Sequence, residues 1–374
     1  MERITIAFFG PTNSGKSTLV NAIAGQQVSL VSPVPGTTTD PVRKLIEIPG
    51  LGPCVLIDTA GLDDTSVLGA ERRRLTLSIL DETDVAVYVL PMSPKVGHQP
   101  QKEGETAVDV PDFGTSSTPV VVYRHGESVE SLLQRIAAAV PKEEERFLTG
   151  DLVQAGDTVL LVMPQDSEAP KGRLILPQVQ VIRELLDRGC NPLCCTPASL
   201  PAALGTLQTQ PALVITDASV FQAVNRALPP ETPLTAFSVL LAAAKGDTAV
   251  FVEGAKAIDR LTPDSRVLIA EACTHVPDTE DIGRVKIPNL LRAKHGTQKI
   301  DIAAGNDFPE DLTPYDLIIH CGACVATRTL VRARMRKALL AGVPFTNYGI
   351  ALAFLQGMLD RIVIPGSRTP GQSF

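Results

Sequence analysis

Short apolar runs rich in β-branched residues alternate with longer amphipathic stretches along the whole chain. This rhythm is typical of α/β proteins with mainly parallel sheets. The apolar runs predict strands at 4–9, 54–57, 85–90, 120–123, 159–163, 192–195, 213–216, 266–271, 299–302 and 317–319. The amphipathic stretches predict helices at 17–24, 129–140, 178–186, 220–227 and 325–340.

The pattern is interrupted once by a charged run at 141–146 and restarts at 157. Such a run is typical of a solvated linker. A chain of 374 residues is also too long for one ordinary core. We therefore predict three domains, at 1–148, 157–262 and 263–374, the first larger than the other two.

Composition limits the classes of function. Hydrophobic residues make up 44% of the chain and charged residues 20%, which favours a globular protein with buried parallel sheets or a subunit interface. A net charge of −7, without a basic stripe, argues against nucleic-acid binding. The longest apolar run, 234–244, is about half of the ~20 residues that a membrane helix needs. We expect no membrane segment.

That same apolar run has no evident partner in its own small predicted sheet, so we expect it to form a homodimer interface. The chain begins almost directly with a strand, and we expect no export leader. Seven cysteines, an odd number, favour reduced thiols and a cytoplasmic location. Cys54, Cys190, Cys194 and Cys195 are interpreted as packed or interfacial thiols.

The first candidate site is a phosphate-binding loop between the first strand and the first helix. Backbone amides that open a helix hold phosphate groups, while the lysine and the hydroxyl after it reach phosphate oxygens and Mg²⁺. The residues assigned to nucleotide binding in this loop are Gly10, Asn13, Ser14, Gly15, Lys16, Ser17 and Thr18.

Two further segments support a nucleotide site. Asp58 to Gly61 follows a predicted strand, where a carboxylate can hold Mg²⁺ through water and a glycine amide can sense a γ-phosphate. The polar segment 36–40 between them can lend a threonine hydroxyl to Mg²⁺.

These motifs resemble the translation-factor-type GTPases, in particular the branch with MnmE and Era. The resemblance implies a P-loop fold that binds GTP or GDP, with Lys16, Thr38, Asp58 and Gly61 in catalysis. It also implies K⁺ on Asn13 and a potassium loop at Thr37. Leu62 stands where Ras-like enzymes carry a glutamine, so a slow, K⁺-stimulated hydrolysis that depends on metal electrostatics is expected.

One segment departs from that pattern. The Asn-Lys-x-Asp sequence by which GTPases recognise guanine is replaced by Arg124-His125-Gly126-Glu127. We predict an eroded base pocket, with weak guanine selectivity or no nucleotide binding, in which Glu127 is the one candidate to replace the aspartate. His125 is interpreted as a surface loop residue.

The second candidate site is a cluster of metal-binding residue types late in the chain. Its members are Cys273, His275, His320, Cys321 and Cys324. Two of the cysteines form a CxxC, and Cys273 and Cys321 each follow a predicted strand, so residues distant in sequence can converge at one sheet edge. Zinc in a Cys₃His site and a [4Fe–4S] cluster on three cysteines both fit these ligands.

Together, the phosphate loop and Cys-x-His … His-Cys-x-x-Cys resemble HydF, the maturation GTPase of [FeFe]-hydrogenases, over the whole chain. The resemblance implies a GTPase domain, a dimerisation domain and a cluster domain in that order. It implies a homodimeric scaffold that receives a transient di-iron precursor from radical-SAM maturases and delivers it to the apo-hydrogenase. Cys273, Cys321 and Cys324 would be the cluster ligands, with the histidines at or near the fourth site.

Two alternatives remain at this point. One is a zinc-binding regulatory GTPase without a role in hydrogenase maturation. The other is a divergent scaffold that no longer depends on nucleotide.

Overall fold

The computed structural model describes residues 3–25, 41–63, 75–91, 118–141, 147–165, 174–272, 281–296, 299–305, 307–324 and 326–366. They form two compact units, Met1–Glu143 and Glu144–Phe374. Within these described ranges, no helix is both long enough and apolar enough to cross a membrane.

The first unit contains a five-stranded sheet in the order β2-β3-β1-β4-β5. The strands are β1 Ile4–Phe9, β2 Val42–Ile48, β3 Gly52–Asp58, β4 Val85–Val89 and β5 Val120–Tyr123. All neighbours are parallel except β2 and β3. The helices of this unit include α1 Lys16–Ala24 and α2 Val129–Ala139. A further helical segment spans residues 75–78 and continues as a 3-10 helix over Ile79–Glu82.

The pattern of apolar residues does not predict β2. This strand lies at the sheet edge, and Arg43, Lys44 and Glu47 interrupt its apolar positions. The predicted central strands were recognisable because both of their faces are buried, which gives near-continuous apolar runs.

The second unit contains two four-stranded sheets, each parallel throughout. The first has the order β7-β6-β8-β9 and the second the order β11-β10-β12-β13, so the same topology occurs twice. The strands are β6 Thr158–Val162, β7 Asn191–Cys195, β8 Leu213–Thr216, β9 Leu234–Ala236, β10 Arg266–Glu271, β11 Lys299–Ala304, β12 Leu317–His320 and β13 Phe345–Asn347. The helices are α3 Leu176–Asp187, α4 Leu200–Gly205, α5 Phe221–Ala227, α6 Phe237–Lys245, α7 Thr248–Lys256, α8 Ile287–His295, α9 Arg328–Leu340 and α10 Tyr348–Leu355.

The apolar run 234–244 lies inside this unit, as β9 and most of α6. Leu234 and Leu240 are fully buried, and Phe237 is 1% exposed. The prediction that this run is an unpartnered interface was therefore wrong. Its partner is the core of its own chain, which the sequence does not indicate because β9 has only three residues.

Helix α7 packs on the last strand of the second sheet. Thr346 Oγ1 donates to the carbonyl oxygen of Phe251 at 2.8 Å. A Cβ atom on Gly254 would lie 2.1 Å from the carbonyl oxygen of Phe345, so this close approach requires glycine. The predicted border at 262 remains a prediction, but α7 lies before it in sequence and packs with the strands that follow it.

Candidate functional site

The phosphate loop joins β1 to α1, and its shape depends on residues that tolerate a positive φ. Gly15 has φ +87° and Asn13 has φ +60°. Asparagine is among the few side chains that adopt this region readily. A Cβ on Gly10 would lie 2.4 Å from the carbonyl oxygen of Val89, so the loop can lie against β4 only with glycine there.

Lys16 is buried within this loop. Its Nζ atom donates to the carbonyl oxygens of Gly10 at 3.0 Å and Pro11 at 2.7 Å. Burial lowers the pKa of Lys16, while the carboxylates of Asp58 and Asp63 oppose that shift. An ammonium group has three donors, so one more acceptor, such as a phosphate oxygen, fits here.

The Mg²⁺ candidates lie together. Ser17 Oγ donates to Asp58 Oδ2 at 2.6 Å, and Asp58 is fully buried at the end of β3. Hydroxyl and carboxylate oxygens are the hard ligands that Mg²⁺ prefers. Ser14 Oγ is buried without a hydrogen-bond partner in the part of the chain that the structure describes. The donor set and this unsatisfied hydroxyl fit a magnesium-bound nucleotide. Thr18 is exposed on the first turn of α1.

Asp63 is a site residue that no sequence motif indicates. Its Oδ1 atom accepts from the N–H of Thr12 at 2.5 Å and from Thr12 Oγ1 at 2.7 Å. Partial burial acts to raise the pKa of Asp63, but these hydrogen bonds outweigh it and hold the pKa below its ordinary value. A Cβ on Gly61 would lie 2.1 Å from Thr12 Oγ1, so this glycine permits the close contact.

His125 is exposed, as its sequence context suggests, and it also contacts the phosphate loop. Its Nε2 atom lies 3.0 Å from the carbonyl oxygen of Ser14 and 3.0 Å from that of Leu90. A Cβ on Gly15 would lie 3.0 Å from the ring. The imidazole therefore supports the phosphate loop from the end of β5. No local motif announces this contact, since the partners are distant in sequence.

Glu127, the candidate to replace the guanine-binding aspartate, has another use in this structure. Its Oε2 atom pairs with Arg135 Nη2 at 2.6 Å, and its Oε1 atom accepts from Arg135 Nε and Ser131 Oγ, each at 3.0 Å. The carboxylate thus stabilises the first turns of α2. The geometry does not favour the base-binding role that was predicted for Glu127.

The cysteine site lies at the carboxyl edge of the second sheet of the second unit. Its strand order places β10 between β11 and β12. The chain thus adds β11 on one side of β10 and β12 on the other, so the order of the strands switches direction between β10 and β12. Open α/β sheets bind ligands at such reversal points. Cys321 directly follows β12, and Cys273 comes two residues after β10 in sequence.

Cys321 is placed to act as a thiolate ligand. Its Sγ atom accepts from the N–H of Ala272 at 3.1 Å and from the N–H of Ala323 at 3.4 Å. Ala323 has φ +51°, which belongs to the tight turn of the CxxC segment. Cys324, at the end of that turn, is exposed. Backbone donors directed at cysteine sulfur are typical of iron–sulfur and other thiolate sites, so Cys321 fits a metal group.

His320 does not fit the role of a metal ligand. It is fully buried, and its Nε2 atom lies 3.2 Å from Arg334 Nη1. Because a guanidinium group has only donors, Nε2 must accept, and Nδ1 therefore carries the proton that it donates to the carbonyl oxygen of Cys321 at 2.8 Å. Burial, with the charge of Arg334, lowers the pKa of His320 to about 3. No lone pair is left for a metal, so the predicted ligand role of His320 does not fit this geometry.

Four predicted site residues lie outside the described residues: Thr37, Thr38, Cys273 and His275. Within the described ranges, no group of three or more His, Cys, Asp or Glu side chains could hold a metal ion. The cysteine site needs the contribution of Cys273 to reach three thiolates.

Family comparisons agree with this division of sites. Residues 5–123 match the model of the 50S ribosome-binding GTPase. Residues 148–246 match the hydrogen maturase F dimerization domain, and residues 249–365 match the hydrogen maturase F tetramerization domain. The chain belongs to the hydrogen maturase F family. The resemblance to HydF is thus confirmed, as is the fold class, a P-loop GTPase domain followed by α/β domains with mainly parallel sheets.

Two curated relatives with another name each cover little more than a third of this chain. The tRNA modification GTPase MnmE of Methylobacterium sp. (strain 4-46) is 33% identical over 145 residues, covering 37% of this chain and 33% of that protein. MnmE of Nitrosospira multiformis is 41% identical over 134 residues, covering 35% and 27%. This chain thus spans about a third of the length of the curated relatives that it matches.

Among solved structures, an Era variant of Aquifex aeolicus bound to GDP·AlF₄⁻ is 16% identical, covering 83% of this chain and 97% of that one, with a TM-score of 0.27. Arabidopsis thaliana Toc33 in complex with GDP and Mg²⁺ is 30% identical, covering 24% and 36%, with a TM-score of 0.20.

Proposed function

We propose that this protein is a nucleotide-dependent maturation factor for [FeFe]-hydrogenase, which holds a [4Fe–4S] cluster and serves as scaffold for a di-iron precursor. The observation that carries the proposal is the 3.1 Å hydrogen bond from Ala272 N–H to Cys321 Sγ. Ala272 directly precedes Cys273 in sequence. The two halves of the cysteine motif therefore belong to neighbouring strand ends, where one metal group can join them.

In the nucleotide site, the loop amides and Lys16 would hold the phosphates of GTP or GDP, and Ser17 and Asp58 would hold Mg²⁺. Bound Mg²⁺ supplies positive charge that stabilises the phosphate oxygens during hydrolysis. Thr38 on Mg²⁺, with Thr37 and Asn13 at a K⁺ ion, completes the proposed site. The buried ammonium of Lys16 supports this assignment, since few other ligands would compensate its burial.

In the cluster site, Cys273, Cys321 and Cys324 would hold the [4Fe–4S] cluster. The cluster supplies an iron centre beside which the di-iron cargo is received. The N–H groups of Ala272 and Ala323 stabilise the charge on the Cys321 sulfur. His275 lies within the same motif and is proposed near the fourth iron.

The proposed partners are a second copy of this chain, the radical-SAM maturases that build the precursor, and the apo-hydrogenase that receives it. Domains of the dimerization and tetramerization families support self-association. The apolar run 234–244 does not provide the surface, but helix α3 exposes Leu176, Val179 and Leu186 to solvent. Reduced thiols and bound iron–sulfur chemistry favour the cytoplasm.

Anaerobic purification with analysis of iron, sulfide and zinc tests the cluster. We expect a brown protein with about four iron and four sulfide per chain. A colourless protein with stoichiometric zinc would contradict the scaffold function and favour the zinc-binding regulatory GTPase. Calorimetry with GDP and Mg²⁺ tests the nucleotide site, with Lys16→Ala as the variant that abolishes binding and Lys44→Ala, on the edge strand β2, as the matched control.

A second candidate is a scaffold that does not depend on nucleotide. The observation that favours it is the engagement of Glu127 by Arg135, which leaves the predicted replacement for the guanine-binding aspartate occupied. Absence of GDP and GTP binding in the wild-type protein, together with an intact cluster, would support this reading.

A further inference from the structure

Arg334 is a buried cation at the sheet edge that carries Cys321. Its side chain, on helix α9, is 3% exposed. Its Nη1 atom donates to the carbonyl oxygen of Glu271 at 3.2 Å and to His320 Nε2 at 3.2 Å. Its Nη2 atom donates to the carbonyl oxygen of Gly305.

These three acceptors mark the ends of three neighbouring strands. Glu271 ends β10, Gly305 follows β11, and His320 ends β12. The ring of Phe308 covers the guanidinium, with its centroid 4.8 Å from the Cζ atom. A planar group with several fixed donors can join three strand ends at once, which the ammonium group of lysine cannot do in the same way.

The contact continues from Arg334 to the cysteine. His320 accepts from Arg334 and donates from Nδ1 to the carbonyl oxygen of Cys321. Asn347 Nδ2 donates to the same oxygen at 3.2 Å. The N–H of Cys321 donates to the carbonyl oxygen of Ala270 at 2.8 Å. The main chain of Cys321 is therefore fixed on both sides of its Cα atom.

We propose that Arg334 and His320 are positioning residues for the Cys321 sulfur, and that His320 acts through the Cys321 backbone and does not ligate the metal group. This inference rests on the proposed function, because it requires thiolate-bound metal at Cys321. The fixed backbone directs Sγ at the N–H groups of Ala272 and Ala323. The fourth ligand must then come from elsewhere than His320.

The test is an anaerobic titration of the metal-free full chain with Co²⁺, followed by the thiolate-to-cobalt absorption. Outer-shell partners of metal ligands typically change affinity 10- to 100-fold, so Arg334→Met is expected to weaken Co²⁺ binding at least about 10-fold. His320→Ala should weaken it similarly. His320→Asn, which keeps a donor for the Cys321 carbonyl but ligates poorly, should recover most of the affinity. The matched control is Arg266→Met, at the opposite end of β10, where Arg266 pairs with Asp301.

If His320 were a metal ligand, the opposite changes in Co²⁺ affinity would be expected. Arg334→Met would then release Nε2 for the metal, and Co²⁺ affinity would stay the same or rise. His320→Asn would lose as much affinity as His320→Ala. Either result overturns the inference.

A second readout does not depend on metal. The alkylation rate of Cys321 by iodoacetamide, measured by mass spectrometry on the metal-free protein, should change severalfold in Arg334→Met, while that of exposed Cys194 stays constant. If the wild-type chain binds no Co²⁺, the proposed metal site fails, but this rate still decides the positioning role. If Arg334→Met does not fold, Arg334→Lys is used instead. It keeps the charge without the fixed donors of the planar guanidinium and should change the alkylation rate in the same direction but by a smaller factor. An unchanged alkylation rate overturns the inference.

Discussion

The Nε2 atom of His125 donates to the carbonyl oxygen of Ser14 at 3.0 Å, and it reaches the carbonyl oxygen of Leu90 at the same distance. Both partners are acceptors, so the proton must reside on Nε2. The ring thereby joins the phosphate loop to the end of β4. A loop whose amides must converge on phosphate benefits from such support.

We therefore expect His125→Ala to weaken GDP binding about 10-fold, because two hydrogen bonds of roughly 0.5–1.5 kcal/mol each are lost. His125→Asn should bind nearly as well as wild type, since an amide nitrogen carries two donors for the two carbonyls. Calorimetry in Mg²⁺ measures both. Arg124→Ala, the exposed neighbouring residue, is the control. Equal affinity in wild type and His125→Ala would show that the loop keeps its shape without the ring.

Asp63 places a carboxylate on the N–H of Thr12. Nearby negative charge weakens the binding of GTP, which carries the additional γ-phosphate, more than it weakens the binding of GDP. Asp63→Asn should therefore raise GTP affinity relative to GDP affinity by up to about fivefold, since exposed charge interactions contribute up to about 1 kcal/mol. Glu47→Gln, on the edge strand, removes the same charge elsewhere and should leave this ratio unchanged. A GTP-to-GDP ratio that stays fixed in Asp63→Asn would contradict the expectation.

Glu127 is held by Arg135, so its carboxylate should not contribute to base selection. We expect Glu127→Gln to leave the ratio of GTP to ATP affinity unchanged and to lower stability by about 1 kcal/mol or less, as for other partly exposed ion pairs. Binding assays and thermal unfolding measure the two effects separately. Glu130→Gln on the same helix is the matched variant. A large loss of guanine preference in Glu127→Gln alone would restore its predicted role.

The potassium site can be tested at Asn13. Its φ of +60° makes glycine the suitable replacement, because Asn13→Gly removes the amide oxygen without backbone strain. GTP hydrolysis by the wild-type protein should be slow and faster in KCl than in NaCl. Asn13→Gly should have equal rates in the two salts. The prediction fails if K⁺ still stimulates the variant, and Asn191→Gly serves as the control in the other unit.

The cluster prediction concerns the cysteines. Cys273→Ala, Cys321→Ala and Cys324→Ala each leave too few thiolates, so each should lose the visible iron–sulfur absorption and most of the iron. Cys194→Ala removes an exposed thiol outside the motif and should keep both. Iron analysis and absorption spectra after anaerobic reconstitution measure the outcome. An unaltered cluster in Cys321→Ala would rule out the proposed ligand set.

The sequence predicted those features that are local in the chain. The phosphate loop is one contiguous segment between a strand and a helix, and the central strands are continuous apolar runs. The edge strand β2 and the three-residue strands β9 and β13 lack such signals. Spacing likewise suggested that His320 could ligate metal. Only the position of Arg334 shows that the Nε2 atom of His320 accepts a hydrogen bond instead.

Contacts between distant segments were out of reach for the same reason. His125, Asp63 and Arg334 are ordinary polar residues in sequence, and each becomes part of a site only when another strand end lies beside it. No motif spacing encodes these pairs.

The two sheets of the second unit share one continuous core, which includes Leu234 of β9 and Phe345 of β13. Val363 N–H also donates to the carbonyl oxygen of Leu234 at 2.8 Å, and Arg361 reaches the carbonyl oxygen of Thr232. The two family models meet between residues 246 and 249, but the two regions that they match share one core and are therefore not independent folding units. A fragment cut there for spectroscopy would expose its interior and aggregate, whereas one that begins at Glu144 would keep the hydrophobic core of the unit intact.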